Sequence, residues 1–188
     1  HNSDSYPNDT ALREKSFGIW LKMSWKKCYE DTRDIALGLR DKGLKKGGVV
    51  GILGNNTPRW LISELAIQCM GGIPLGIYSD ALAEEISYLV KYAKCEIIFV
   101  EDEEQADKIL SLKELKENIK LIIYDEERGM RKYKDERLIS YKELKKSGIT
   151  LNEKDNKIFS QSLKLISEKD PCILCPTSGT TSHPKLAI

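Results

Sequence analysis

The sequence predicts an α/β fold, a parallel sheet flanked by helices, on three observations. From about residue 24 onward, short apolar runs alternate with longer stretches whose apolar residues recur at helical spacing. The clearest run, Val49-Val50-Gly51-Ile52-Leu53, lacks the alternation of a half-exposed strand and reads as a strand buried on both faces. Glycine and proline punctuate the joins, and strand–helix–strand units at this spacing build a parallel sheet with helices on its faces.

In order, Trp25, Cys28, Tyr29, Thr32, Ile35, Ala36 and Leu39 form one helical face, with Ser24 as its N-cap and Gly43 as its stop. After strand 49–53, Asn55-Asn56-Thr57 leads to Pro58, well suited to a first helical position, and a helix to Met70. Gly71-Gly72 ends it, and Ile73 to Tyr78 is a strand with Pro74 near its start. Helix 82–94, strand 96–100, amphipathic helix 103–117 and strand 120–124 follow. The charged stretch 125–139 reads as an irregular surface excursion, with short helices at 140–146 and 157–167 after it. A last strand, Pro171 to Cys175, runs into a Gly/Ser/Thr-rich loop. The expected organisation is an N-terminal extension with short strands over 1–23 and an α/β subdomain over 24–188.

The composition bounds the function. With 188 residues, 40% hydrophobic and 31% charged, the chain has enough apolar material for one sizeable core. Thirty Lys+Arg against 29 Asp+Glu leave a net charge of +1, with no basic stripe to suit nucleic acid. No apolar run reaches the roughly 18 residues of a membrane span, so no integral membrane segment is expected. Five cysteines, an odd and scattered set, suggest reduced thiols and a cytoplasmic setting.

The chemistry concentrates in Thr177-Ser178-Gly179-Thr180-Thr181-Ser182-His183-Pro184-Lys185. Ser178, Thr180 and Thr181 supply hydroxyls, and Gly179 lets successive backbone N–H groups converge on an anion. Lys185 adds a mobile point charge suited to phosphate oxygens, and Pro184 stiffens the approach to it. The loop is expected at the carboxyl end of a buried strand, where ligands of such sheets bind. It is not a Walker A loop, since Gly-x4-Gly-Lys-Ser/Thr is absent.

Thr177 to Lys185 resembles the signature loop of the adenylate-forming superfamily, T-S-G-T-T-G-x-P-K. Leu12 to Trp25, Asp34 to Leu53, Asn55 to Trp60 and Gly76 to Ser79 resemble the opening of AMP-forming acyl-CoA synthetases. Val100 to Lys108 and Ile123 to Gly129 are similar to the long-chain branch. The resemblance implies an ATP-dependent ligase. A carboxylate attacks the α-phosphate of ATP to give an acyl-adenylate and pyrophosphate, and the CoA thiolate then displaces AMP. It implies nucleotide binding by Thr177, Ser178, Gly179, Thr180, Thr181, Ser182 and Lys185, with Lys185 supporting pyrophosphate departure. No catalytic residue and no metal ligand is assigned in this segment. ATP, Mg2+, CoA and a fatty or other hydrophobic acid are the implied partners, and the long-chain branch implies possible peripheral membrane contact. Two departures stand out: Ser182 replaces the family's usual glycine, and Pro176 stands where an aromatic residue often precedes the threonine. A non-catalytic nucleotide-binding or scaffolding relative, or an adenylating ligase acting on a carrier protein, would share the loop.

The family's adenine motif, ribose-binding Asp, hinge and distal catalytic Lys are absent up to Ile188. The segment by itself is therefore expected to be inactive, and to self-associate through an apolar face its partner layer would cover.

Other candidates are weaker. Cys172-Ile173-Leu174-Cys175 is a C-x-x-C, but residues three apart on a strand point to opposite faces about 10 Å apart, so buried, apolar-like cysteines are expected. No G-x-S-x-G elbow or G-x-G-x-x-G is present. Glu84-Glu85 and Glu101 to Glu104 fit helix starts, where acidic side chains complement the dipole. Trp60 reads as core; Tyr78 and Ser79 fall at a strand end.

Overall fold

The computed structural model describes residues 1–177 and 185–188. A short helix α1 (Asn2–Ser5) precedes an antiparallel hairpin of β1 (Thr10–Ser16) and β2 (Ile19–Ser24). The rest alternates as expected: α2 (Trp25–Asp41), β3 (Val49–Leu53), α3 (Pro58–Cys69), β4 (Ile73–Ile77), α4 (Ala83–Tyr92), β5 (Ile97–Val100), α5 (Glu103–Ser111) and β6 (Leu121–Tyr124). Then come β7 (Leu138–Ser140), α6 (Tyr141–Lys154), α7 (Ile158–Leu163), and an antiparallel pair β8 (Cys175–Thr177) and β9 (Lys185–Ala187).

Five strands form one parallel sheet in the order β4-β3-β5-β6-β7. Its strands run three to five residues, and helices cover both of its faces. Alternate residues feed two cores. Val50, Ile52, Ile97, Phe99 and Ile123 pack under α2, α3, α6 and α7. Leu53, Leu75, Ile77, Ile98, Val100 and Ile122 pack under α4 and α5. Cys95 closes the second layer from inside: its Sγ accepts from Gly51 N at 3.1 Å and donates to Ile97 O at 3.0 Å.

Local capping sets the helix starts. Ser24, Thr57 and Asp102 each accept from a backbone N–H of their own first turn. Ser140 and Glu143 form a reciprocal capping box that opens α6. The acidic side chains Glu84, Glu85, Glu103 and Glu104 lie in the first turns of α4 and α5, as the dipole argument expects.

Three expectations need correction. The charged stretch 125–139 is not wholly irregular: its end begins β7, which extends the sheet beside β6. Helix α6 runs eight residues past Lys146, through Gly148, because that glycine lies at a close helix crossing rather than at a stop. The α5 helix ends at Ser111, and Lys113–Leu115 is a separate 3-10 turn.

Candidate nucleotide-phosphate site

The final strand expected at Pro171 to Cys175 is instead β8, shifted toward the loop. Leu174 attaches the segment to the sheet edge, its N donating to Pro74 O at 2.8 Å and its O accepting from Gly76 N at 3.3 Å. The bridge Leu75↔Leu174 is parallel, so the chain continues the sheet beyond β4 before turning into the β8–β9 pair. Thr177 stands opposite Lys185, and its hydroxyl donates to the Lys185 carbonyl at 3.2 Å. The two ends of the candidate loop are thereby held side by side. Ser178, Gly179, Thr180, Thr181 and Ser182 lie outside the described residues.

Pro176, whose missing N–H would be expected to end strand pairing, does not end it. It faces Leu186 between the pairs Cys175↔Ala187 and Thr177↔Lys185. A proline is tolerated in a two-stranded edge ladder where its nitrogen need not donate to the partner strand. Cys172 and Cys175 are exposed rather than buried, because the segment lies on the sheet's outer edge. Among the described residues no group of three or more His, Cys, Asp or Glu side chains is placed to hold a metal ion.

A second cluster, which sequence reasoning missed, lies where the central strands end. Asn55, two residues past β3, donates to Glu101 Oε2 from its backbone N at 2.7 Å and from Nδ2 at 2.9 Å. Ser79 Oγ donates to Asn55 Oδ1 at 3.1 Å, and Lys108 Nζ donates to Ser79 O at 2.6 Å. Ser79 therefore ties the β4 exit to the β3 and β5 exits, while Tyr78 is exposed. Arg59, in the first turn of α3, pairs with Asp125 and lies 5.3 Å from the Tyr141 ring centroid. Burial, the largest influence, pushes the Tyr141 phenol above its ordinary range. The only sequence signal for these residues was their position just past strand ends.

Volume and charge decide what this cluster can hold. The cavity lined by Gly54, Asn55, Trp60, Phe99, Asp125 and Tyr141 is about 30 Å³, room for water and not for a nucleotide. The wider groove beside it, about 470 Å³, sets Glu14, Glu101, Asp125, Glu126 and Glu127 against Arg59 and Lys142. Such a surplus of carboxylates repels a polyphosphate. The loop between Thr177 and Lys185 has a cation at one end and backbone pairing at its base. The thiols with resolved shifts, Cys28, Cys69 and Cys95, are all pushed upward chiefly by burial, away from nucleophilic use.

The chain matches the AMP-binding enzyme family across residues 1–188, and it belongs to that family. It is 35% identical to a long-chain-fatty-acid–CoA ligase, ACSBG2, of Xenopus laevis over 97% of this chain and 24% of that protein. It is 31% identical to human ACSBG2 over 96% of this chain and 26% of the relative. The chain thus spans about a quarter of the length of these relatives. Among solved structures, an anthranilate CoA ligase, AuaEII, in complex with anthranoyl-AMP aligns with a TM-score of 0.66 at 18% identity, covering 88% of this chain and 29% of that one. At that identity the likeness establishes the shared fold. Among the described residues no helix is long and apolar enough to cross a membrane.

Proposed function

We propose that this chain is the phosphate-gripping opening portion of an ATP-dependent acyl-CoA synthetase whose acid is a long-chain fatty acid. The observation that carries the reading is the Thr177–Lys185 pairing, which frames a loop of signature composition in a chain with long-chain ligase relatives.

The residues act by position and charge. Lys185 neutralises the β- and γ-phosphates as pyrophosphate leaves the α-phosphorus, a contribution of roughly 3–4 kcal/mol for a well-placed group. Ser178, Thr180 and Thr181 donate hydroxyls to the same oxygens, and Gly179 and Ser182 shape the backbone around them. The Thr177 hydroxyl donates to the Lys185 carbonyl, so Thr177 also holds the loop's ends together.

Pyrophosphate exchange by the full-length protein, run with short, long and aromatic acids, tests this reading. Exchange stimulated most by long-chain acids supports it. Preference for a short or aromatic acid would replace the acid class and keep the adenylation step. Nucleotide binding without exchange would favour the non-catalytic alternative.

A further inference from the structure

We propose that the β1–β2 hairpin is a docking element for an anionic lipid surface. Ser16 pairs with Ile19, so the strands are joined by two residues, Phe17 and Gly18. Both lie in the left-handed region, at φ 47 and φ 82. Two-residue loops of this kind usually carry Asn-Gly or Asp-Gly. Here an aromatic occupies the first position and projects fully into solvent, at 103% exposure. Ile19, Trp20 and Leu21 follow at 66%, 54% and 54%. Phe17 at the turn and Trp20 on the cationic face put two exposed aromatic rings on a narrow hairpin, suited to insertion between lipid head groups, whereas Ile19 and Leu21 alternate onto the Glu14 face.

The charge fits the same occupant. The register pairs Arg13 with Lys22 and Lys15 with Trp20, so these four side chains share one face of the hairpin. Arg13 lies over the Trp20 ring at 5.3 Å. Among the described residues neither Arg13, Lys15 nor Lys22 has a salt-bridge partner. Glu14 is turned the other way, onto the acidic groove. Cations beside an apolar tip are what an anionic bilayer attracts. A symmetric pairing of two copies through this face would set the same cations against each other, and edge lysines oppose strand addition. The anchoring is also suitable. Ala11, Leu12 and Met23 pack on the core beneath α2 and α3, whereas Leu174 and Leu186 pack on the opposite layer. Docking through the hairpin leaves the loop's side of the sheet accessible.

The test is co-sedimentation of the full-length protein with phosphatidylcholine vesicles, with and without phosphatidylserine. Selective binding to the phosphatidylserine vesicles, weakened by salt, is expected. Phe17→Ser/Trp20→Ser and Lys15→Glu/Lys22→Glu variants should each lose on the order of tenfold in partitioning, with unchanged thermal midpoints. Absence of binding by the unmodified protein, or binding by either variant as strong as that of the unmodified protein, overturns the proposal. So does a change of oligomeric state or of thermal midpoint in the variants, which would assign the tip to a protein contact.

Discussion

Thr177 and Lys185 face each other across the β8–β9 pair, joined by a hydroxyl-to-carbonyl hydrogen bond of 3.2 Å. One residue closes the loop and the other charges it, so their substitutions are expected to read differently. In the full-length protein, Lys185→Ala should lower the adenylation rate about 100-fold or more, with Lys185→Arg recovering part of it. Thr177→Val should cost about 1 kcal/mol, roughly fivefold, mainly through weaker ATP binding as the loop ends loosen. Initial-rate kinetics of pyrophosphate exchange, separating kcat from KM for ATP, distinguish the two. Equal losses of kcat in both variants would contradict the division of roles.

The cysteines divide sharply by environment. Cys172 and Cys175 are exposed on the outer edge, whereas Cys28 and Cys95 are buried and Cys69 is half-buried. Burial pushes the Cys69 thiol up to about 11 and the Cys95 thiol up to about 12. Alkylation at neutral pH should therefore modify Cys172 and Cys175 first in the folded chain, and Cys28, Cys69 and Cys95 only on unfolding. Peptide mass mapping of native and denatured samples reads this directly. Early modification of Cys95 would mean that its bonds to Gly51 and Ile97 are open in solution.

The contrast between those thiols and their expected burial shows where sequence reasoning stopped. Strands β3, β5 and β6 were legible because Val49–Leu53, Ile97–Val100 and Leu121–Tyr124 are apolar on both faces, a pattern that only a covered sheet explains. Strand β7 was not, because Leu138 and Ile139 form too short a run beside a charged stretch and gain their strand conformation from parallel pairing with β6. Cys172-Ile173-Leu174-Cys175 has the composition of a buried strand, yet this segment ends up on the sheet's rim with Leu174 alone bridged. Composition records what a residue tolerates, not which edge its strand occupies. The loop reading rests on residue types alone, since residues 178–184 lie outside the described residues. Phosphate chemistry constrains residue types locally, whereas the Asn55–Glu101–Ser79 network depends on three strand exits meeting.

Asp135 and Arg137 give a pH dependence of defined sign. Asp135 Oδ1 accepts from Arg137 N at 3.0 Å and Nε at 2.9 Å, and Oδ2 accepts from Nη2 at 2.8 Å. The Arg137 side chain, foremost, holds the Asp135 carboxyl down at about 2, below its ordinary 3.8. A depressed folded-state value contributes stability that is full above the unfolded value and fades as pH falls from about 4 toward 2. Asp135→Asn should therefore cost on the order of 1 kcal/mol near neutral pH, the pair being partly solvent-screened, and nearly nothing by about pH 2. Denaturant midpoints measured across that range should converge for the two proteins. A constant difference would place the effect in packing instead of charge.

The crossing of α2 and α6 is the contact on which substitution should be least tolerated. A Cβ at Gly148 would fall on the Asp34 carbonyl oxygen and lie 2.7 Å from Gly38 N. A Cβ at Gly38 would in turn fall on the Leu144 carbonyl oxygen. Both obstacles are helical backbone, so no rotamer change relieves them, and the helices must separate. That would loosen Ile35, Leu39 and Leu144 in the core beneath them. Gly148→Ala is expected to destabilise by at least the roughly 1–3 kcal/mol of an overpacked core, even though alanine is the better helix former by about 1 kcal/mol. For a chain of this size each kcal/mol corresponds to about 2–4 °C of Tm. Gly38→Ala should do the same, and the double variant should cost less than the sum, because one displacement of α6 accommodates both methyl groups. Thermal unfolding of the three variants tests this. Additive losses would mean that the helices keep their spacing, and a stabilised Gly148→Ala would show that intrinsic helix propensity, not close approach, governs position 148.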